Sequence, residues 1–299
     1  MHKAKKSLGQ NFLKSIPALN AIIQAGEIAN SDIVLEIGPG RGALTKKLLE
    51  NAGTVIAVEK DNELIEILKE KFVKEIKERK LILINDDILK FDISSASSNF
   101  FSLRTAEQLS SLEKTKEVYA NEAVLTFSNG DDAKQDILRK SAKLRSYKII
   151  ANIPYNITGA ILKKFLTEEN QPERMILMVQ NEVAKRVVSK KESILSISVK
   201  AYGEPKIVMK VPARYFSPAP KVDSAIIAIN NISRKIFKEG GIDEERFWEI
   251  VKNGFAHKRK KLSGNLKNII STEKLLKSGF KDKRAEELSL SDWILLTKN

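Results

Sequence analysis

Three observations predict a doubly wound α/β fold on a parallel sheet, followed by a smaller, mainly helical region. Short apolar runs alternate with helical patterns through the first two thirds of the chain. These runs are almost continuously apolar, as strands covered on both faces must be. The alternation then stops near residue 204 and short helical patterns take over. A length of 299 residues suits one large α/β domain with a smaller one behind it.

In chain order, the strand candidates are IVLEIG (33–38), TVIAVE (54–59), LILIND (81–86), YKIIAN (147–152) and RMILMVQ (174–180). ALTKKLLE separates the first two. After the second comes DNELIEILKEKFVKEIKE, in which Leu64, Ile67, Leu68, Phe72 and Ile76 recur at helical spacing. This is the βαβ rhythm of a parallel sheet. Residues 93–146 interrupt it with a polar stretch, serine-rich at its start, that far exceeds an ordinary βα connection. It reads as an inserted subdomain or a mobile excursion, and a neutral surface decoration is the expectation, because long surface insertions are thermodynamically cheap. Beyond it, KIVMKVP and VDSAIIAI look extended and the remainder helical, so the expected domains are 1–203 and 204–299.

Lysine and arginine number 52 against 38 acids, a net charge of +14, which points to a polyanionic partner. There is no cysteine, and the only histidines are His2 and His257, so thiolate nucleophiles, disulfides and histidine-rich metal centres are excluded. No metal is expected. No run approaches the roughly 18 apolar residues of a membrane helix. The basic start MHKAKKSLGQNFLK holds lysine but no arginine, which argues against a mitochondrial presequence, and a cytoplasmic location is expected. A monomer is expected as well, since the basic faces leave no evident apolar patch.

EIGPGRGALT (36–45) follows a strand and opens a helix, so Gly38 and Gly40 let a ligand approach the backbone. Glu59 ends the next strand, where an acid grips the two hydroxyls of a ribose. Both features suit NAD as well as S-adenosylmethionine. Glu36 and Asp87 add two acids at the same strand ends, and three acids suit a cationic sulfonium better than a pyrophosphate. The alternative is that all three are merely solvated strand ends.

A buried strand that stops on Asn152-Ile153-Pro154-Tyr155 is unusual. Asn152 falls at the carboxyl edge of the sheet, level with the glycine loop. Pro154 has no N–H and restricts Ile153, which holds the local carbonyls outward. An adenine exocyclic amine is a poor nucleophile, and two acceptors on its hydrogens help it pyramidalise. The Asn152 amide and a carbonyl of this turn can be those acceptors, with Tyr155 as a stacking face. An asparagine-capped turn with a packed tyrosine is the plainer reading of the same residues.

GQNFL (9–13), EIGPGRGALT, AVEKD (57–61), NDDIL (85–89), NIPYNIT (152–158) and FSPAPKVDSA (216–225) occur in this order across nearly the whole chain outside 93–146. In this the sequence resembles the ribosomal RNA adenine N6-dimethyltransferases. VPARYFSPAPKVDSAII and FAHKRKKLSGNL (255–266) are similar to the small-subunit branch rather than to the macrolide-resistance methylases of large-subunit rRNA. The resemblance implies a Rossmann-like S-adenosylmethionine-dependent methyltransferase sheet. It implies dimethylation of two adjacent adenosines near the 3′ end of small-subunit rRNA during ribosome biogenesis.

By the same resemblance, Asn11 and Leu13 close over the methionine end of S-adenosylmethionine and Gly38 lines its back. Glu59 holds the ribose and Asp87 the adenine, although Asp86 stands where the family more often has glycine. Asn152, Pro154 and Tyr155 form the methyl-acceptor site, and Phe216 stacks on the far face of the target base, which must be unstacked first. Thr158, Gly159 and Ala160 are candidates for room beside the amine. RNA contact is expected from Lys3, Lys5 and Lys6, from Lys185, Arg186, Lys190 and Lys191, and from Lys258, Arg259, Lys260 and Lys261. The competing readings are an NAD-linked oxidoreductase, which has no use for NIPY, and a mainly non-catalytic checkpoint factor on immature small subunits.

Overall fold

The computed structural model describes residues 3–93, 124–125 and 146–298, with 124–125 as backbone alone. Among these residues the strands are β1 (Phe12–Leu13), β2 (Ile33–Ile37), β3 (Thr54–Glu59), β4 (Leu81–Asn85), β5 (Val124–Leu125), β6 (Tyr147–Asn152), β7 (Arg174–Gln180), β8 (Glu204–Val211), β9 (Phe216–Ser217) and β10 (Ser224–Asn230). Eight of them form one sheet in the order β5-β4-β3-β2-β6-β7-β10-β8, while β1 and β9 form a separate pair. The strands from β2 to β7 run parallel, and β10 and β8 add an antiparallel edge. The five strands read from the sequence are all present in the parallel part. Apart from the Val124–Leu125 pair, the core of the expected 93–146 insertion lies outside the described residues.

β2 and β3 are buried at every position, as central strands with helices on both faces must be. Helix α1 (Ile16–Gly26) is started by Ser15, whose hydroxyl accepts the Ala18 N–H, with Pro17 in the first turn. It packs Ala18, Leu19 and Ile22 against one face of the sheet, in one cluster with Val34, Ile150 and Ile176. Helix α2 (Ala43–Asn51) follows the glycine loop, and α3 (Asn62–Lys71) is capped by the Asp61 side chain. The helical stretch expected beyond Asp61 is broken at Phe72 (φ −118°, ψ 34°), and a short helix, Val73–Lys77, continues it at an angle. Phe72 and Ile76 still reach the core, so the hydrophobic spacing was a sound guide to burial but not to helix length.

The sheet continues across the boundary expected at residues 203/204. β10 is fully buried from Ser224 to Ile229 and bonds to β7 on one side and β8 on the other, so its backbone groups are satisfied only inside the main sheet. β8 is the outer strand and carries Lys206 and Lys210, a composition that discourages pairing with a further strand. The helical region starts only at Lys235. It has no separate core: Phe247, Ile250, Leu262, Leu266 and Trp293 belong to the same cluster as Leu35, Ile37, Phe165 and Tyr202.

One contact there is very close. The helix Glu244–Gly254 crosses Leu290–Thr297, and a Cβ on Gly254 would lie 2.3 Å from the fully buried Trp293 ring. Gly254→Ala is therefore expected to destabilise the protein by about 1–3 kcal/mol through overpacking, read as a lower urea midpoint at unchanged slope.

Candidate active site

From β2 the chain winds outward through β3 and β4, then returns to place β6 on the other side of β2. The loops leaving β2 and β6 part at this reversal, and the crevice between them is where ligands of open α/β sheets bind. A cavity of about 670 Å³ lies there. Its walls are residues 7–14, 36–41, 58–60, 86–89 and 152–157, which include the glycine loop, all three strand-end acids and the NIPY turn.

Gly38 has φ +65°, and its N–H donates to the Val58 carbonyl (2.9 Å), which turns the chain away from the strand end. A Cβ there would meet nothing within 4 Å, so the glycine serves the backbone conformation and leaves the cavity open. Glu59 is buried and both its oxygens accept backbone N–H groups, Oε2 from Gly40 (3.1 Å) and Oε1 from Asp61 (3.0 Å). Burial raises its pKa, and these two bonds oppose the rise. Asp87 is held below the usual carboxylate range chiefly by Lys60, whose Nζ lies 2.8 Å from Oδ2, while Oδ1 accepts the Leu89 N–H. Asp86 also lines the cavity, and its Oδ1 accepts the Asp87 N–H (2.6 Å).

Glu36 is enclosed at 1% exposure, and burial pushes its carboxyl up to about 8 against the pull of Thr45. Its Oε2 is buried without a hydrogen-bond partner. A buried oxygen without a partner beside an open glycine turn fits a ligand that brings a hydrogen-bond donor, such as the amino group of S-adenosylmethionine, whose positive charge would draw the Glu36 carboxyl back towards its ionised form. Among the described residues no cluster of three or more His, Cys, Asp or Glu side chains is arranged to hold a metal.

On the opposite wall, Asn152 Nδ2 donates to the Asn11 carbonyl (3.0 Å). The amide is thereby oriented, and its Oδ1 takes no protein hydrogen bond among the described residues. The Pro154 carbonyl accepts a single long bond from the Ile157 N–H (3.3 Å). Tyr155 is half-buried, and its hydroxyl lies 2.5 Å from Ser224 Oγ at the start of β10, which fixes the ring. Asn11, Leu13, Gly38, Glu59, Asp87, Asn152, Pro154 and Tyr155 thus share one cavity.

Phe216 does not join them. Its ring is 2% exposed and packs with Leu13, Ile22, Met178 and Ile226, because β9 pairs with β1 and draws Phe216 opposite Leu13. Ser217 reaches the cavity in its place. Thr158 is buried with its hydroxyl on the Tyr155 carbonyl, Gly159 and Ala160 face outward, and none of the three lines the cavity. Lys5, expected on an RNA face, is paired instead with Asp61 and Glu63 at 2.7 and 2.8 Å.

The sequence reading missed Ser224, Gln10, Asp61 and Lys60, whose partners are distant in sequence. It also missed the run Lys281-Asp282-Lys283-Arg284. The structure sets that run beside two of the expected basic runs: Lys261 pairs with Asp282 (2.8 Å), and Lys191 pairs with Glu286 (3.0 Å). Lys190, Lys191, Lys258, Arg259, Lys260, Lys283 and Arg284 are all exposed, on segments brought together by these contacts.

The fold and site define the chain as a Rossmann-like methyltransferase. Among solved structures it resembles a dimethyladenosine transferase from Plasmodium falciparum (TM-score 0.69, 24% identity, 95% of each chain covered). It resembles the 23S rRNA methyltransferase ErmE almost as closely in fold (TM-score 0.67, 21% identity, 96% of this chain and 98% of that one). The chain belongs to the ribosomal RNA adenine dimethylase family, whose profile matches residues 1–298. A ribosomal RNA small subunit methyltransferase A from Dehalococcoides mccartyi is 37% identical over 97% of this chain and 86% of its own length. A protein of the same name from Rippkaea orientalis is 32% identical over 99% and 97%.

Glu36 gives the site a pH signature. With a folded pKa of about 8 against 4.5 unfolded, the native state keeps a proton that the unfolded chain has lost, so this group lowers stability as pH rises through that window. Glu36→Gln is expected to remove the decline: its stability advantage over the parent, from urea titrations, should grow between about pH 5 and about pH 9.

Proposed function

We propose that this chain transfers methyl groups from S-adenosylmethionine to N6 of two adjacent adenosines near the 3′ end of small-subunit rRNA, dimethylating each. The observation that carries the reading is the Asn152 amide, whose Nδ2 is committed to the Asn11 carbonyl so that Oδ1 is left as an acceptor at the cavity wall. When bound, S-adenosylmethionine supplies an electrophilic methyl carbon on a sulfur that departs as a neutral thioether.

The protein's part is to position the acceptor. Asn152 Oδ1 and the Pro154 carbonyl accept hydrogen bonds from the amine, two before the first transfer and one before the second, which directs the nitrogen lone pair towards the methyl carbon; each transfer releases one proton to solvent. Tyr155, steadied by Ser224, offers its ring to the unstacked base. Glu59 takes the ribose hydroxyls on the lone pairs that Gly40 and Asp61 leave unused, and Asp87 takes the adenine amine. Asn11, Leu13 and Gly38 enclose the methionine end.

The basic segments around Lys191, Lys260 and Lys283 supply the phosphate contacts. We place the protein in the cytoplasm as a monomer; among the described residues no helix is long and apolar enough to cross a membrane. The near full-length relatives at 32–37% identity favour the small subunit.

The deciding experiment is incubation with methyl-labelled S-adenosylmethionine and small subunits lacking the two dimethyladenosines, with naked large-subunit rRNA in parallel. Label is expected on two neighbouring adenosines near the small-subunit 3′ end. Label confined to large-subunit RNA moves the chain to the resistance branch. Asn152→Ala is expected to lower turnover by roughly 10²-fold or more while subunit binding persists. Full turnover in that variant would remove Asn152 from the mechanism.

Subunit affinity should fall steeply with salt. Replacing Lys283 and Arg284 together by glutamine should flatten the log–log slope by up to about two, measured by filter binding across a salt series.

A further inference from the structure

Residues 5–14 form an N-terminal strap, and all of residues 7–14 line the cavity. Little apolar surface holds the strap down. Leu13 is its only fully buried residue, and no residue of the turn Lys6–Leu8 is buried. Its downstream half is pinned by the β1–β9 pairing, by Lys14 N–H donating to the Tyr215 carbonyl (2.8 Å) and by Asn152 on the Asn11 carbonyl.

The upstream half is held differently. Asp61 Oδ1 takes Lys5 Nζ (2.7 Å) and Oδ2 takes Gln10 Nε2 (2.7 Å), while Gln10 Oε1 accepts the Lys5 N–H (2.7 Å). The Asp61 side chain is wholly enclosed, at 0% exposure, so these are bonds to a buried carboxylate. The same residue caps α3 through the Glu63 N–H and donates its own N–H to Glu59 Oε1.

We propose that Asp61 is a positioning residue, which with Lys5 and Gln10 latches the strap over the cofactor and couples that closure to Glu59. This rests on the methyltransferase reading above. Because one residue touches both the strap and the ribose-binding acid, ligand bound at Glu59 and strap closed at Asp61 favour each other, and the linkage is reciprocal.

The probe is S-adenosylhomocysteine, and the readouts are calorimetric affinity, ligand-induced rise in melting temperature and the rate of tryptic cleavage after Lys5 and Lys6. In the parent protein the ligand should slow cleavage several-fold. Gln10→Ala and Asp61→Asn should each weaken binding roughly tenfold, as loss of a hydrogen bond to a charged group does. Asn retains the helix cap, and Gln10→Ala leaves α3 untouched. A merely structural role would lower the melting temperature of the ligand-free protein; the latch instead predicts a smaller ligand-induced rise and lost protection of the strap.

Parent-like affinity and protection in Gln10→Ala would overturn the latch while leaving the methyltransferase reading intact. A parent protein that binds no S-adenosylhomocysteine would overturn both.

Discussion

The parallel pairing of β2 with β6, in the register Ile33 to Tyr147 through Leu35 to Ile149, is the constraint on which everything else depends. It joins two strands separated by more than a hundred residues and makes them neighbours at the centre of the sheet. Both walls of the cavity are set by it: the glycine turn leaves β2 at Gly38 and the NIPY turn leaves β6 at Asn152. The junction is secured by side chains enclosed on both faces, Leu35, Ile149 and Ala151 on one and Val34 and Ile150 on the other. Each large one is worth about 1.5–3 kcal/mol of burial. A slip of one residue in this pairing would reverse those faces and turn Asn152 away from the cavity.

Around that junction the polar groups are arranged in two ways. Glu59, Asp61 and Asp87 are satisfied by protein donors before any ligand arrives, which fixes their oxygens in space. Glu36 Oε2, Asn152 Oδ1 and the Pro154 carbonyl are under-satisfied, and all three residues line the cavity. Fixed acceptors with spare capacity are what a site needs if it is to bind hydroxyls and amines without reorganising. The strap contributes to both sets, for Asn11 orients Asn152 and Gln10 is bound to Asp61. The two walls of the cavity are therefore connected through one short N-terminal segment.

Much of the cavity wall was legible because its residues sit at strand ends. A strand end in a parallel sheet has a known position, so Gly38, Glu59, Asp87 and Asn152 could be placed from local patterns alone. Phe216 could not, because its position follows from a two-residue pairing between β1 and β9 that carries no periodic signal. Ser224 and Asp61 were missed for a related reason: their roles are made by single hydrogen bonds to Tyr155, Lys5 and Gln10, and nothing in the neighbouring sequence announces such partners. The domain boundary failed at β8 and β10. An antiparallel edge reads from sequence as a pair of isolated strands, and only hydrogen bonding shows which sheet they complete.

By itself, the sequence determined the parallel α/β sheet, the order of its strands along the chain, the glycine turn and the basic character. These follow from hydrophobic periodicity and residue chemistry, which act over a few neighbouring positions. Tertiary structure alone decided which way the Asn152 amide faces, that Phe216 is core, that Lys5 pairs with Asp61 and Glu63, and that Lys283 and Arg284 join the other basic runs. Each of these depends on contacts between segments far apart in the chain, and such contacts exist only once the sheet has closed around its core.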